Sequence, residues 1–320
     1  MVIGMNPTQV PGIEPAPAVQ QAEVARRAFQ KWLARSRPDA GPLQDWLEAE
    51  NEVRQLGEIA RMLSEAEKKL HRQELERGIA REVQQGLLPK AMPQLAGFKF
   101  AGRSLAAAEV GGDCFDFFPS QVDGKENLDV LIADASGHGM AAALLMAEAR
   151  AYVRALALTC ADPGTLLDLT NMRLAEDLLP GHFVTLFLLR LEPGTRSLRY
   201  AGAGHWPAYV LDRHGAVRQV LVSAGEPVGI DALLKYSTGP PISLEGGDVV
   251  FLFTDGVVEA TSPRGTQFGL ERTLEVIRTH RQSPPEEILE QLFQAVGKFA
   301  EAPVQDDATA VVIQAEDPSA

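Results

Sequence analysis

The chain has 320 residues, enough for one large domain and a smaller appendage, and 43 acidic against 30 basic residues leave a formal charge of −13. That balance excludes a binder of nucleic acid or of an anionic membrane, because no basic stripe is available to meet phosphates. Two cysteines, Cys114 and Cys160, make neither a disulfide framework nor a zinc set, and they fit a reducing compartment.

Residues 1–20 contain Pro7, Pro11, Pro15 and Pro17 with no basic start and no apolar core, so they read as a loose tail and not as a secretory signal. No run approaches the ~18 uncharged apolar residues of a membrane helix, and a cytoplasmic protein without membrane contact is expected. From Gln21 to about Leu88 the text is helical, broken at Pro38 and Gly41-Pro42. After the break, Trp46, Ala49, Val53, Leu56, Ala60, Leu63 and Leu70 follow steps of three and four, with Glu67 in one slot, as in a coiled-coil seam. Leu75, Ile79, Val83 and Leu87 then step by four, which alters the winding of a supercoil. Two readings stay open: a helix packed on its own domain, or a parallel connector between two copies of the chain. Pro89 and Pro93 stop the helix. A helical regulatory region over 21–88 and a second domain over 89–316 follow.

In that second part, strands are predicted at Phe98–Gly102, Cys114–Phe118, Leu128–Ala133, Phe183–Leu191, Leu198–Ala201, Ala208–Leu211, Val217–Val222, Val249–Thr254 and Ala308–Ile313. Asp123-Gly124, Pro193-Gly194 and His214-Gly215 are short turn texts that favour antiparallel pairing. Helices are predicted in two separate pairs, Met140–Leu158 with Gly164–Leu178 and Gly269–Thr279 with Pro285–Ala300. Hairpins with helices in blocks point to an α+β sandwich.

Four acidic motifs share one layout, an aspartate beside a strand with small residues near it. They are Val110-Gly-Gly-Asp113, Asp134-Ala-Ser-Gly-His-Gly139, Thr254-Asp-Gly256 and Gln305-Asp-Asp-Ala-Thr309. Taken singly, each is an ordinary turn. Together they place carboxylates at the rim of a sheet with few basic residues among them, and a hard divalent cation is the usual remedy for such repulsion. An oxygen-only site for Mg²⁺ or Mn²⁺ is the expectation.

With Gly202-Ala-Gly-His205 and Asp255-Gly-Val-Val-Glu259 added, the ordered set resembles the bacterial branch of the metal-dependent protein phosphatases. These are the PP2C-like enzymes of the stage II sporulation E and RsbU type. The resemblance spans about Pro89 to Gln314, and Gln85-Gly-Leu-Leu-Pro89 is similar to the linker that precedes such domains. It implies an antiparallel β-sandwich flanked by helices on both faces, with a pair of divalent cations, Mn²⁺ or Mg²⁺, at one end. By position, Asp134 would bridge both ions and the Ala135 carbonyl would help the second. Asp255 and Asp306 would hold the first, and Asp113 the second ion or its water. Asp307, adjacent to Asp306 in an extended segment, is expected to face away.

The chemistry implied is direct hydrolysis of a phosphoserine or phosphothreonine by water, so neither cysteine has to be a nucleophile. The substrate implied is a phosphorylated anti-sigma-factor antagonist of the STAS type in a partner-switching pathway, with a homodimer formed through the helical linker. Two departures from the eukaryotic branch matter. Its histidine, two residues after the bridging aspartate, is Ser136 here, and its phosphate-binding arginine falls on Ala108. His138 and His205 read as turn or bend residues, Cys114 as a small buried strand residue, and Glu259 either lies near the site or caps the next loop. The competing readings are an inactive phosphoprotein-binding relative and another two-metal phosphohydrolase.

Overall fold

A computed structural model describes residues 18–34, 41–107, 110–122, 125–192, 194–301 and 306–317. The first seventeen residues of the proline-rich tail, Pro38, Ala108, the Asp123-Gly124 turn, Pro193 and Gln305 lie outside them. The chain divides into two compact units, one ending at Leu75 and one beginning at Glu76.

The first unit contains α1 (Ala18–Ala34) and most of α2 (Pro42–Leu87), which starts at the predicted Gly41-Pro42 break. Val24 and Ala28 of α1 and Ala49 of α2 are buried together, with Trp46 and Val53 packed alongside. Lys31 reaches Glu52 at 2.7 Å and Glu48 at 3.4 Å, tying the two helices by charge. The early seam residues are therefore covered within the chain. Leu56, Leu63 and Leu70, further along the same seam, are exposed. No helix among the described residues is long and apolar enough to cross a membrane.

The second unit is a sandwich of two five-stranded sheets. One has the order β1 (Phe98–Leu105), β10 (Ala308–Ala315), β9 (Val249–Phe253), β6 (Ala208–Leu211), β7 (Val217–Leu221). The other runs β2 (Asp113–Val122), β3 (Lys125–Ala135), β4 (Val184–Glu192), β5 (Ser197–Ala203), β8 (Ile242–Ser243). Neighbouring strands in both sheets pair antiparallel. All nine predicted strands are present; the two-residue β8 is the addition.

Alternation along each strand divides the apolar residues into layers. Phe115 and Phe117 of β2, Val130 and Ile132 of β3, Phe187 and Leu189 of β4, Val250 and Leu252 of β9 and Val311 and Ile313 of β10 meet between the sheets. The opposite rows pack on helices. Leu131, Ala133, Leu186 and Leu188 face α3 (Met140–Leu156) and α4 (Pro163–Asp177), and Phe251, Phe253, Ala310 and Val312 face α6 (Gly269–His280) and α7 (Pro285–Ala300). The α3 residues that enter this packing, Ala142, Leu145, Met146, Ala149 and Val153, recur at helical spacing. Asp162 caps α4 by accepting from the Thr165 N–H at 2.9 Å, with Pro163 in the first turn. Arg190 on β4 is almost wholly buried, grips Asp129 of β3 through two hydrogen bonds of 2.7 and 2.6 Å, and donates to the carbonyls of Cys160 and Ala161. It fixes the α3–α4 turn to the sheet.

Candidate active site

The rows that fill the space between the sheets end in polar residues at one end of the sandwich. Following β2 back from Phe117 and Phe115 gives Asp113; following β3 forward from Val130 and Ile132 gives Asp134. These two aspartates are direct cross-strand partners. The same alternation gives Thr185 on β4, Ser104 on β1, Thr309 on β10 and, one step past β9, Thr254. Thr254 donates its hydroxyl to Asp113 Oδ2 at 2.7 Å and accepts from the Thr309 N–H at 2.9 Å. Thr309 in turn bonds Ser104 at 2.8 Å. Thr185 lies opposite Asp134 in the sheet and meets His205 Nδ1 at 2.8 Å.

Three further segments bring the remaining candidates. Asp134 and Ala135 close β3, and the Ser136-Gly-His-Gly turn that follows needs its glycines, with φ of 90° at Gly137 and 73° at Gly139. Ala135 is buried and its N–H donates to the Gly112 carbonyl at 3.2 Å. Asp255 opens the one-turn helix α5 (Asp255–Glu259), an element not among those predicted from the sequence. Gly256 has no room for a side chain, since a Cβ there would overlap the Asp307 carbonyl oxygen. Asp306 is exposed just before β10, and its Oδ1 accepts the Asp307 N–H at 2.8 Å.

Asp307 corrects an expectation. It does not face away: it is buried, accepts the Ala107 N–H on Oδ1 at 2.8 Å, and accepts the Gly112 N–H on Oδ2. Position 307 belongs to the same alternating row as Thr309, Val311 and Ile313, which is the row facing the other sheet.

The electrostatics follow from this crowding. Burial raises the Asp134 pKa to about 7, helped by the charges of Asp255, Asp306 and Asp307. Burial and the neighbouring Asp134 charge push Asp113 well above the ordinary carboxylate range. Burial, then Asp306 and Glu259, raise Asp255; Glu259 thus lies within electrostatic reach of the site. No lysine or arginine pairs with these aspartates among the described residues, which distinguishes them from Asp129 and from Asp116, the partner of Arg150 and Arg154. Among the described residues no three acidic, histidine or cysteine side chains are gathered into a ready coordination sphere. Carboxylates without a nitrogen or sulfur ligand among them suit a hard cation that keeps several of its waters.

The other sequence candidates stay outside this chemistry. Cys114 is buried and its thiol is pushed up to about 12 by burial and by Asp116, so it carries no thiolate near neutral pH. Burial lowers His205 to about 4, leaving a neutral ring that holds Thr185. His138 is exposed in the turn before α3. Gln84, near the end of α2, was not singled out by the sequence: its amide accepts the Gly111 N–H at 3.0 Å and donates to the Gly111 carbonyl. A side-chain amide that satisfies both polar groups of one backbone residue leaves no periodic signal.

Residues 124–316 match the family model described as Stage II sporulation protein E (SpoIIE). Residues 20–55 match a second family, described as a protein of unknown function (DUF2934). Among curated relatives, the phosphoserine phosphatase RsbU of Bacillus subtilis (strain 168) is 29% identical over 238 residues, covering 74% of this chain and 69% of that protein. Among solved structures, the SiaA-PP2C domain of Pseudomonas aeruginosa superposes with a TM-score of 0.66 at 24% identity, covering 78% of this chain and 98% of that one. The RsbU and RsbW domains of a Mycobacterium tuberculosis protein superpose with a TM-score of 0.61 at 22% identity, covering 71% and 62%. At these identities the structural likeness establishes a common fold.

Proposed function

The chain belongs to the stage II sporulation protein E family of bacterial PP2C-like protein phosphatases, and from that premise we propose that it removes phosphate from a serine or threonine of a signalling protein with the help of two divalent cations, Mn²⁺ or Mg²⁺. The observation that carries the reading is the set of carboxylates at one end of the sandwich: burial first, and then their neighbouring charges, raise Asp113, Asp134 and Asp255, and no basic side chain among the described residues pairs with them. In this reading Asp134 would be shared by the two ions and the Ala135 carbonyl would assist the second. Asp255 and Asp306 would hold the first, and Asp113 the second or its water. Bound there, the ions supply an activated water and absorb charge on the phosphoryl oxygens.

The chain's own part is to hold these oxygens in place and to keep other nucleophiles out. Thr254 and Thr309 fix the Asp113 carboxylate from the opposite sheet, so the site draws on both layers of the sandwich. Cys114, next in sequence to Asp113, is buried and protonated and takes no phosphoryl group. With no arginine or lysine among the described residues paired to the cluster, substrate affinity rests on protein–protein docking more than on a phosphate-binding cation.

The family resemblance supports a phosphorylated anti-sigma-factor antagonist of the STAS type as substrate, and the name of the Bacillus relative supports phosphoserine. We assign residues 89–316 to the phosphatase and 21–88 to a regulatory region. The exposed Leu56, Leu63 and Leu70 support a homodimer through that region. Control would reach the site through two contacts: Gln84 of α2 on Gly111, and α3, which begins six residues after Asp134.

Purified protein is expected to release phosphate from a phosphoserine protein only with added Mn²⁺ or Mg²⁺, and Asp134→Ala or Asp255→Ala is expected to lower the rate at least 100-fold. Tight phosphoprotein binding without turnover would instead mark an inactive relative, and cleavage of a phosphodiester would mark a different hydrolase.

A further inference from the structure

Asp307 is buried beside the aspartates assigned to the cations, yet both of its carboxylate oxygens are engaged by backbone. Each carboxylate oxygen accepts one backbone N–H, Oδ1 from Ala107 and Oδ2 from Gly112. Gly112 is held from its other side as well, because its carbonyl accepts the Ala135 N–H at 3.2 Å. One peptide segment thus links the strand-entry turn that carries Asp113, the strand end that carries Asp134 and Ala135, and the strand entry that carries Asp306 and Asp307. The carbonyl of Asp307 packs against Gly256, bringing in the segment of Asp255.

The glycines fit this arrangement on steric grounds. A Cβ at Gly111 would collide with the Asp307 carboxylate, and one at Gly112 would stand 2.8 Å from the Ala135 carbonyl oxygen. Neither glycine has a positive φ, so the pair is needed for close approach and not for an unusual backbone conformation. A carboxylate suits the position because it offers only acceptors to two converging donors, whereas an amide would turn an NH₂ group toward one of them.

We propose that Asp307 is a positioning residue of the metal centre, a carboxylate that binds backbone and holds the Asp113 and Ala135 oxygens at the spacing the cations require. The proposal rests on the reading of the site given above. Its test is titration of Mn²⁺, without substrate, into the full chain and its Asp307→Asn and Asp307→Glu variants, followed by calorimetry. Both variants are expected to bind Mn²⁺ at least tenfold more weakly, in the range typical of outer-shell changes, with excess Mn²⁺ restoring the full stoichiometry. Wild-type affinity in Asp307→Glu would reduce the residue to a nearby negative charge and overturn the proposal. So would the loss of one bound ion that excess Mn²⁺ does not restore, since Asp307 would then be a ligand. A purely structural role lowers thermal stability but leaves the Mn²⁺ affinity of the folded protein unchanged, and that result also overturns it. A wild-type chain that binds no Mn²⁺ removes the reading of the site itself. Should the variants fail to fold, the wild-type Gly112 amide decides: it is expected to be protected from hydrogen exchange with and without metal, and rapid exchange in both conditions contradicts the clamp.

Discussion

Asp134 sets the pH behaviour expected of the metal-free protein. In the fold its carboxyl keeps a proton up to about 7 because burial and three other carboxylates disfavour its charge, whereas in the unfolded chain it ionises near the ordinary value of about 3.9. The folded state therefore binds more protons across that window. The group's contribution to stability is present at low pH and is lost as pH rises through about 7. A cation binds the ionised form and must displace this proton at lower pH. The rise in melting temperature caused by saturating Mn²⁺ is thus expected to be larger at pH 8 than at pH 6. An equal rise at both values would mean that Asp134 is already ionised or is not a ligand. At this scale the sequence was informative about identity and poor about direction. Asp113, Asp134 and Asp255 could be picked out because each stands beside an apolar run with glycine nearby. Thr254 and Thr309 stand in the motifs without a role of their own, and Thr185 and Ser104 in none, although counting by twos from Leu252, Val311, Phe187 and Phe100 leads to each. Asp307 was misoriented for the same reason: adjacent residues in an extended segment do face opposite ways, but the row running from Ile313 to Thr309 decides which one faces the other sheet.

At the level of elements, the first part of α2 is covered within the chain, and the proposed dimer rests on the later part of its seam. Trp46, Ala49 and Val53 are satisfied by α1, while Leu56, Leu63 and Leu70 remain exposed along the same seam. Burying three such leucines against a second copy would contribute several kcal/mol, at about 1.5–3 kcal/mol for each fully buried side chain. Leu63→Asp is expected to convert a dimer to a monomer in analytical ultracentrifugation and to uncouple activity from control by the regulatory region. A monomeric variant with unchanged activity and unchanged control would sink the dimer-based regulation. The long strands were legible because each alternates or runs apolar between turn residues, and α3 and α7 because their buried faces recur at helical spacing. The five residues of α5 and the two of β8 are too short to display any period. The Gln84 contact joins α2 to a loop 27 residues further on, and no local pattern reports such a pairing.

Across the whole molecule, the sandwich explains why aspartates far apart in sequence meet. Antiparallel pairing sets Asp113 opposite Asp134 in one sheet, and the other sheet presents Thr254 and Thr309 to the same end. The net charge of −13 is mostly solvated surface, but this cluster is a local concentration of it that bound divalent ions would neutralise where a phosphoryl group has to approach. Crystals of the full chain grown with Mn²⁺ and measured at the manganese absorption edge test that claim most directly. Two anomalous peaks are expected at the end of the sandwich, flanking Asp134 and reached by Asp113, Asp255, Asp306 and the Ala135 carbonyl. Difference maps with no manganese at that end, or with manganese only at surface carboxylates elsewhere, would contradict it.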